Sequence, residues 1–147
     1  MRTVLQSVLV PHSAEKVFEV VNDIESYPSF LPWCYGSEIL SHSLTEIVAR
    51  LDISGAGVKR SFTTRNRIFP FERIEVSLVQ GPFAELEGCW KFKSIPDLGC
   101  KVEMELSFDL GSSILESPFS KTFDNSAKKL VDAFCIRLEQ QLSLIHI

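Results

Sequence analysis

The sequence carries no GxGxxG, no GxxxxGK[ST] and no GxSxG. Their absence removes dinucleotide, P-loop and hydrolase-elbow readings. Histidine is scarce: His12, His42 and His146 fall in a strand-to-helix turn, a hairpin turn and the tail. A solvated or locally bonded ring is expected at each, and no His-based catalyst suggests itself. The four cysteines, Cys34, Cys89, Cys100 and Cys135, include no CxxC pair and no histidine at metal-ligand spacing. They read as buried thiols of a reducing compartment, with no metal site. A disulfide between Cys89 and Cys100 is conceivable on neighbouring strands, but the fold does not require it. No stretch approaches the roughly 18 apolar residues of a membrane span. Met1 to Val4 lack the charged head, apolar run and cleavage site of a signal peptide. A soluble, cytoplasmic protein is therefore expected.

The 147 residues are enough for one domain with a sizeable core, spanning 1–147. A hydrophobic content of 45% with 23% charged residues is ordinary for a globular protein. A net charge of −4 argues against nonspecific nucleic-acid binding, and no DNA partner is expected. A local basic patch stays open.

Phe119, Phe123, Ala127, Leu130, Phe134, Leu138 and Leu142 recur every three or four residues, so Pro118 to Leu142 reads as one amphipathic helix. Lys121, Asp124, Lys128, Asp132 and Glu139 keep its other side wet. Such a helix would run roughly 37 Å and needs a partner along its whole length. Ser117 and Pro118 read as N-cap and first helical residue, with Ile114 to Glu116 an extra turn ahead of them. A start at Ser113 would instead kink the helix at Pro118.

Residues 3–10 read as a strand ending at Pro11, and Ser13 caps a short helix to about Asn22. Asp23 can cap a second helical segment, but Pro28 pushes Tyr27 out of the helical region. Residues 24–33 then form a broken, apolar connection. From Tyr35 the period becomes two, with strands over 35–42, 45–55, 58–69, 72–80, 84–94 and 100–110 joined by short turns. Neighbours are then antiparallel. Ile74, Val76, Leu78, Leu86, Trp90, Phe92, Val102, Met104, Leu106 and Phe108 share the dry phase, and glutamates and lysines hold the other. The fold class is α+β, one antiparallel sheet curling its dry face around the C-terminal helix.

Three features bear on function. Along residues 58–69, Arg60, Thr64 and Asn66 share the inward phase with Val58, Phe62 and Ile68. Buried polar groups must find partners, so Thr64 and Asn66 either satisfy groups at the core's edge or face a ligand. Second, Tyr27, Phe30, Leu31 and Trp33, stiffened by Pro28 and Pro32, either plug one end of the groove or form the mouth of a cavity, where Trp33 and Trp90 would line one pocket with Phe62 and Phe134. Third, Lys59, Arg65 and Arg67 share an outward phase, and Arg73 begins the next strand. They are a solvated face or a surface contacting anionic lipid or RNA.

Five stretches carry a family resemblance: Val10 to Phe18, Asp23 to Cys34, Phe62 to Asn66, Gly81-Pro82-Phe83 and Leu86 to Phe92. Over roughly residues 2–138 the chain resembles the START-like coenzyme Q-binding family, the group labelled polyketide cyclase/dehydrase or oligoketide cyclase/lipid transport. Its bacterial branch includes the ribosome association toxin. The tail from Gln140 takes no part in the likeness. The resemblance implies a helix-grip (START-like, Bet v 1-like) fold of about seven strands around a long C-terminal helix, with a cavity between. It further implies a polyprenyl quinone such as ubiquinone as bound ligand, in support of respiratory electron transport. The ring would lie near Asn66 and Thr64, the tail along Phe119, Phe123, Leu130 and Phe134. No cofactor and no catalytic residue are expected. The toxin branch implies the large ribosomal subunit as partner, reached through the Lys59, Arg65, Arg67 and Arg73 face. The same face could touch an anionic membrane surface transiently, making the protein peripheral to a bacterial inner membrane. The family label keeps a polyketide aromatase/cyclase as a further alternative.

Overall fold

Period-two alternation across most of the chain produces a single seven-stranded antiparallel sheet. The computed structural model describes residues 2–111 and 118–145. The strands are β1 (Arg2–Val10), β2 (Cys34–His42), β3 (Glu46–Gly55), β4 (Val58–Phe69), β5 (Arg73–Gln80), β6 (Phe83–Ile95) and β7 (Gly99–Leu110). Their spatial order is β1-β7-β6-β5-β4-β3-β2, so the first strand closes the sheet beside the last. Each boundary falls within about a residue or two of its expected position, because turn residues with special backbone needs punctuate the pattern. Between the paired Gly55 and Val58, Ala56 and Gly57 both take positive φ (52° and 79°), as a two-residue hairpin requires. Phe71 also sits at φ 64°. Its ring lies edge-on to Phe18 at 5.4 Å, and that packing offsets the backbone strain.

The dry phase forms the core. In register, Trp90 faces Met104 and Ile74, and Phe92 faces Val102. All five are buried, as is Phe108. Each such side chain contributes about 1.5–3 kcal/mol on burial. The cysteines are free thiols. Cys89 pairs with Glu105 while Cys100 pairs with Ser94, so the two lie about five residues, roughly 17 Å, apart along adjacent strands. That is well beyond the span of a disulfide, and the conceivable Cys89–Cys100 bridge is excluded.

Helix α1 (Ala14–Asn22) begins at Ser13, whose hydroxyl accepts from the Lys16 amide at 3.3 Å, and buries Val17, Phe18, Val20 and Val21. The following segment corrects an expectation. A 3-10 helix runs from Ile24 to Ser29 straight through Pro28, leaving Tyr27 within it. In so short a helix proline's fixed φ suits the 3-10 conformation, and the missing N–H breaks no long ladder. The Asp23 side chain caps no backbone amide here; it accepts from Ser26 Oγ at 2.6 Å.

The expected single C-terminal helix is two, α2 (Pro118–Lys128) and α3 (Leu130–Ile145). At the break the Lys129 amide bonds back only three residues, to Ser126, at 3.1 Å. Gln6 of β1 donates its side-chain amide to the Lys128 carbonyl, which in an unbroken helix would serve Asp132. The apolar stripe steps from four-residue to three-residue spacing here, between Ala127 and Leu130. Phe119, Ala127, Phe134 and Leu138 are buried. Ser117, the turn at 114–116, the alternative start at Ser113, His146 and the side chain of Leu142 lie outside the described residues.

Asp124, expected on the wet side, is only 9% exposed. The edge strand reaches over it: Arg2 Nε donates to Oδ1 at 2.8 Å and Lys128 Nζ lies 3.0 Å from Oδ2. Burial opposes ionisation, but these hydrogen bonds outweigh it and hold the Asp124 carboxyl below the ordinary carboxylate range. A depressed folded-state pKa stabilises the fold above the unfolded value near 4, and that contribution is lost as pH falls through the folded value. The denaturant midpoint should therefore drop more steeply as pH falls below about 4 in the wild type than in Asp124→Asn, which should be the less stable at pH 7. Parallel pH profiles for the two proteins would show that the Arg2–Asp124–Lys128 tie adds nothing.

Candidate functional site

Helices α2 and α3 cross the inner face of the sheet without filling the space beneath them. A cavity of about 140 Å³ remains. The connection contributes Tyr27, Leu31 and Trp33 to its wall, the sheet Phe62, Thr64, Asn66 and Trp90, and the helices Phe119, Phe123, Leu130 and Phe134. Every residue expected to line a ligand space is thus brought to one cavity. Sequence reasoning missed Ala49, Leu51 and Ile53 of β3, which also line it; their alternate spacing along the strand is the signal that could have found them. It also missed Thr122 and Ser126, whose four-residue spacing puts their hydroxyls beside the aromatic stripe of α2.

Two ring clusters border the cavity. Phe134 meets Tyr27 at 5.3 Å, Phe30 at 5.2 Å and Trp90 at 5.1 Å. Phe123 meets Phe83 and Phe108, both at 4.9 Å, and Phe119 at 5.9 Å. The apolar connection thus forms a wall of the cavity: Leu31 is buried, and the Trp33 carbonyl is tied to the Ser54 amide at 2.8 Å. Tyr27 offers only its ring, because its hydroxyl donates to the Val21 carbonyl. Burial, then the nearby Asp23 charge, raises its phenol well above the ordinary range, so it stays protonated.

Polar character on the inner face of β4 comes from Thr64 and Asn66, 4% and 8% exposed. Thr64 Oγ1 donates to Asn66 Oδ1 at 3.0 Å. The third expected inward group is a correction: Arg60 is exposed and donates from Nη1 to the Lys59 carbonyl at 2.9 Å. Close to the hairpin, its long stem carries the guanidinium out to water.

The outer face is less positive than its cations suggest. Arg65 pairs with Glu46 at 2.6 Å, and Arg73 with Glu72 at 2.8 Å and Glu75 at 3.3 Å. Arg67 stands in register between Glu46 and Glu75. Lys59 lies over the Tyr35 ring at 5.0 Å, roughly 26 Å along the strand from Arg67, so the four cations do not form one patch. Beside them Arg50, unforeseen from sequence, pairs with Glu38 at 2.6 Å and Asp52 at 3.0 Å. Burial works against the Asp52 charge, but hydrogen bonds from Ser61 and Arg50 prevail and lower its pKa.

A curved antiparallel sheet gripping C-terminal helices over an apolar cavity defines the helix-grip class, START-like and Bet v 1-like. The chain belongs, within that class, to the polyketide cyclase/dehydrase and lipid transport family, whose sequence profile matches residues 10–135. It is 43% identical over 140 residues to the ribosome association toxin RatA of Vibrio cholerae, covering 95% of this chain and 97% of that protein. The coenzyme Q-binding protein COQ10 homolog B of Xenopus laevis is 27% identical over 134 residues, 88% of this chain and 54% of that protein. Among solved structures, a START superfamily protein from Mycobacterium smegmatis superposes with a TM-score of 0.77 at 25% identity, over 95% of this chain and 98% of that one.

Phe134 touches three other rings, and Phe134→Ala should cost about 3–5 kcal/mol, whereas exposed Lys121→Ala should cost under about 0.5 kcal/mol. Equal shifts of the urea midpoint would show that the stripe does not carry the helix-sheet interface.

Proposed function

We propose that the protein binds an isoprenoid quinone, or a lipid of similar build, in this cavity and carries or presents it without chemical turnover. The observation that carries the reading is an apolar space between helix and sheet whose wall bears a buried amide. A volume of about 140 Å³ is close to that of engineered cavities, roughly 150 Å³, that accept a benzene ring. A quinone ring is on this scale, but a long tail is not. The tail would run under α2 and α3, and the Phe123 and Phe134 clusters would have to give way to it. The lipid-transport part of the family description and the coenzyme Q-binding relative support this choice over a cyclase.

Trp33 and Trp90 both line the cavity, so a quinone ring entering it should quench their emission. Quenching should strengthen as the tail lengthens, since burial contributes roughly 25 cal/mol per Å² of apolar area. Ala127→Phe fills the same space without adding an emitter and should abolish quenching, at an overpacking cost of about 1–3 kcal/mol. No quenching by any quinone, with no lipid in an organic extract of the purified protein, would end the carrier reading.

A second reading, association with the large ribosomal subunit, is favoured by the RatA relative, which is similar over nearly the full length of the chain. The arginine-bearing face of β4 is the surface to test. Arg65→Glu with Arg67→Glu should weaken salt-sensitive cosedimentation with large subunits while leaving the thermal midpoint within a few degrees. Unchanged cosedimentation would leave that face as ordinary surface.

A further inference from the structure

The two edges of the sheet are guarded very differently. On one edge, β2 carries two irregularities in its register with β3, at Cys34/Gly36 and Ile39/Ser41, and has Glu38 in its middle. The 3-10 helix is tied along it, with Ser37 Oγ donating to the Ile24 carbonyl at 2.9 Å. On the other edge, β1 has none of these guards. Its register with β7 is unbroken from Arg2 to Val10, and residues 3–10 contain no charge and no proline. Among the described residues, no loop, turn or cap bonds to its free backbone groups. Bulges, charges, prolines and covering segments are how proteins keep edge strands from pairing. A nine-residue edge without them is a template for another strand. Its outer face also presents Leu5, 70% exposed, and Leu9, 54% exposed.

We propose that the occupant of this edge is a second copy of the chain, the two β1 strands pairing antiparallel about a two-fold axis at Ser7 so that two sheets become one. The axis follows from the side chains. Residues directly opposite in an antiparallel pair share a face, and an axis at Ser7 sets Leu5 of each copy against Leu9 of the other. Val4 then meets Val10 and Gln6 meets Val8 on the inner side, while Arg2 falls beyond the paired segment. On β7, Glu105 stands beside Leu5 and Lys101 beside Leu9, so each leucine pair is flanked by opposite charges from the two copies. In the Ser7 row, Glu103 of each copy is held by its own Lys101 at 3.0 Å, which offsets the like charge. An axis at Gln6 would instead set Leu5 against Ser7 and put Glu105 and Glu103 of the two copies in one row. A partner of different sequence would find no charge on this edge to recognise, whereas self-pairing makes the edge its own complement. Residues 4–10 of two copies make a smaller contact than the roughly 1,200–2,000 Å² of a standard interface, so the dimer is reversible.

Sedimentation equilibrium of the full chain should give a mass that climbs with concentration from the 16.6 kDa of one copy toward twice that value. Leu5→Lys sets a cation beside Lys101 of the second copy, and Leu9→Glu sets a carboxylate beside its Glu105. Each variant alone should raise the dissociation constant roughly tenfold or more. Both positions are more than half exposed, so the circular dichroism should stay that of the wild type. An equimolar mixture of the two variants should dimerise again, because the new charges then oppose each other at one leucine pair and the other pair is intact. That rescue is specific to the Ser7 axis. Ser7→Cys, on the axis itself, should trap the dimer as a disulfide on mild oxidation, since opposed antiparallel residues lie within bridging distance. Leu40→Lys on the opposite edge should dimerise like the wild type. A one-copy mass at every concentration would overturn the proposal and leave the edge to a strand of some other protein. A dimer insensitive to Leu5→Lys and Leu9→Glu, or a mixture that stays monomeric with no trapping of Ser7→Cys, would overturn it as well. No residue of β1 lines the cavity, so these outcomes are separate from those that test ligand binding.

Discussion

The packing of an aromatic stripe on α2 and α3 against the concave face of the sheet is the interaction on which the rest of the structure depends. A seven-stranded sheet with one dry face cannot leave that face in water, and two amphipathic helices cannot stand alone. Each is the other's partner. The contact is unevenly distributed, however. It is dense at Phe134 and at Phe123, where rings meet at about 5 Å, and thin between them. At Gly55 a Cβ would fall 2.4 Å from Thr122 Cγ2, so the absence of a side chain there lets α2 lie close on the sheet.

The space between the ring clusters follows from residue size. Ala127 of α2, Ala49 of β3 and Gly88 of β6 all line the cavity, and larger residues at these places would fill it. At about 24 cal/mol per Å³, an empty space of 140 Å³ costs roughly 3 kcal/mol, a substantial part of the 5–15 kcal/mol by which a domain is usually stable. A chain that keeps small side chains on three facing elements forgoes that stability in the empty state. A ligand filling the space would return much of it, and the amide of Asn66 would add a directional contact that apolar side chains cannot supply.

Much of this was legible in the sequence, for physical reasons that vary with position. Strand boundaries could be read because period-two alternation is interrupted by Gly, Pro and Asp at the turns, and the cavity residues because alternation fixes which face each one occupies. Arg60 defeated the same rule, since phase says where Cβ points and not where a long stem ends. Tyr27 stayed helical because the penalty before proline is set by α-helical geometry, and the segment is a 3-10 helix. The helix break at Lys129 lay beyond sequence reasoning: it depends on Gln6, over a hundred residues earlier, reaching the Lys128 carbonyl. Asp124 was read as wet by its place on a helical wheel. The partner that buries it, Arg2, comes from the same distant strand.

Strand β4 carries both proposed activities on alternate residues. Thr64 and Asn66 face the cavity, while Arg65 and Arg67 face outward among Glu46 and Glu75. Because the side-chain period of a strand is two, a one-residue slip would exchange the faces completely. The slip is opposed from both sides, by an unbroken register with β3 from Glu46 to Gly55 and by pairing with β5 from Thr64 to Phe69. A strand held this firmly separates its two faces chemically, because neither set of side chains can reach the other's surroundings. Coupling between a filled cavity and an occupied outer face would need a second arrangement of the sheet, favoured by one partner over the other. The paired ladder offers β4 a single register, so a substitution on one phase leaves the side chains of the other on their own face.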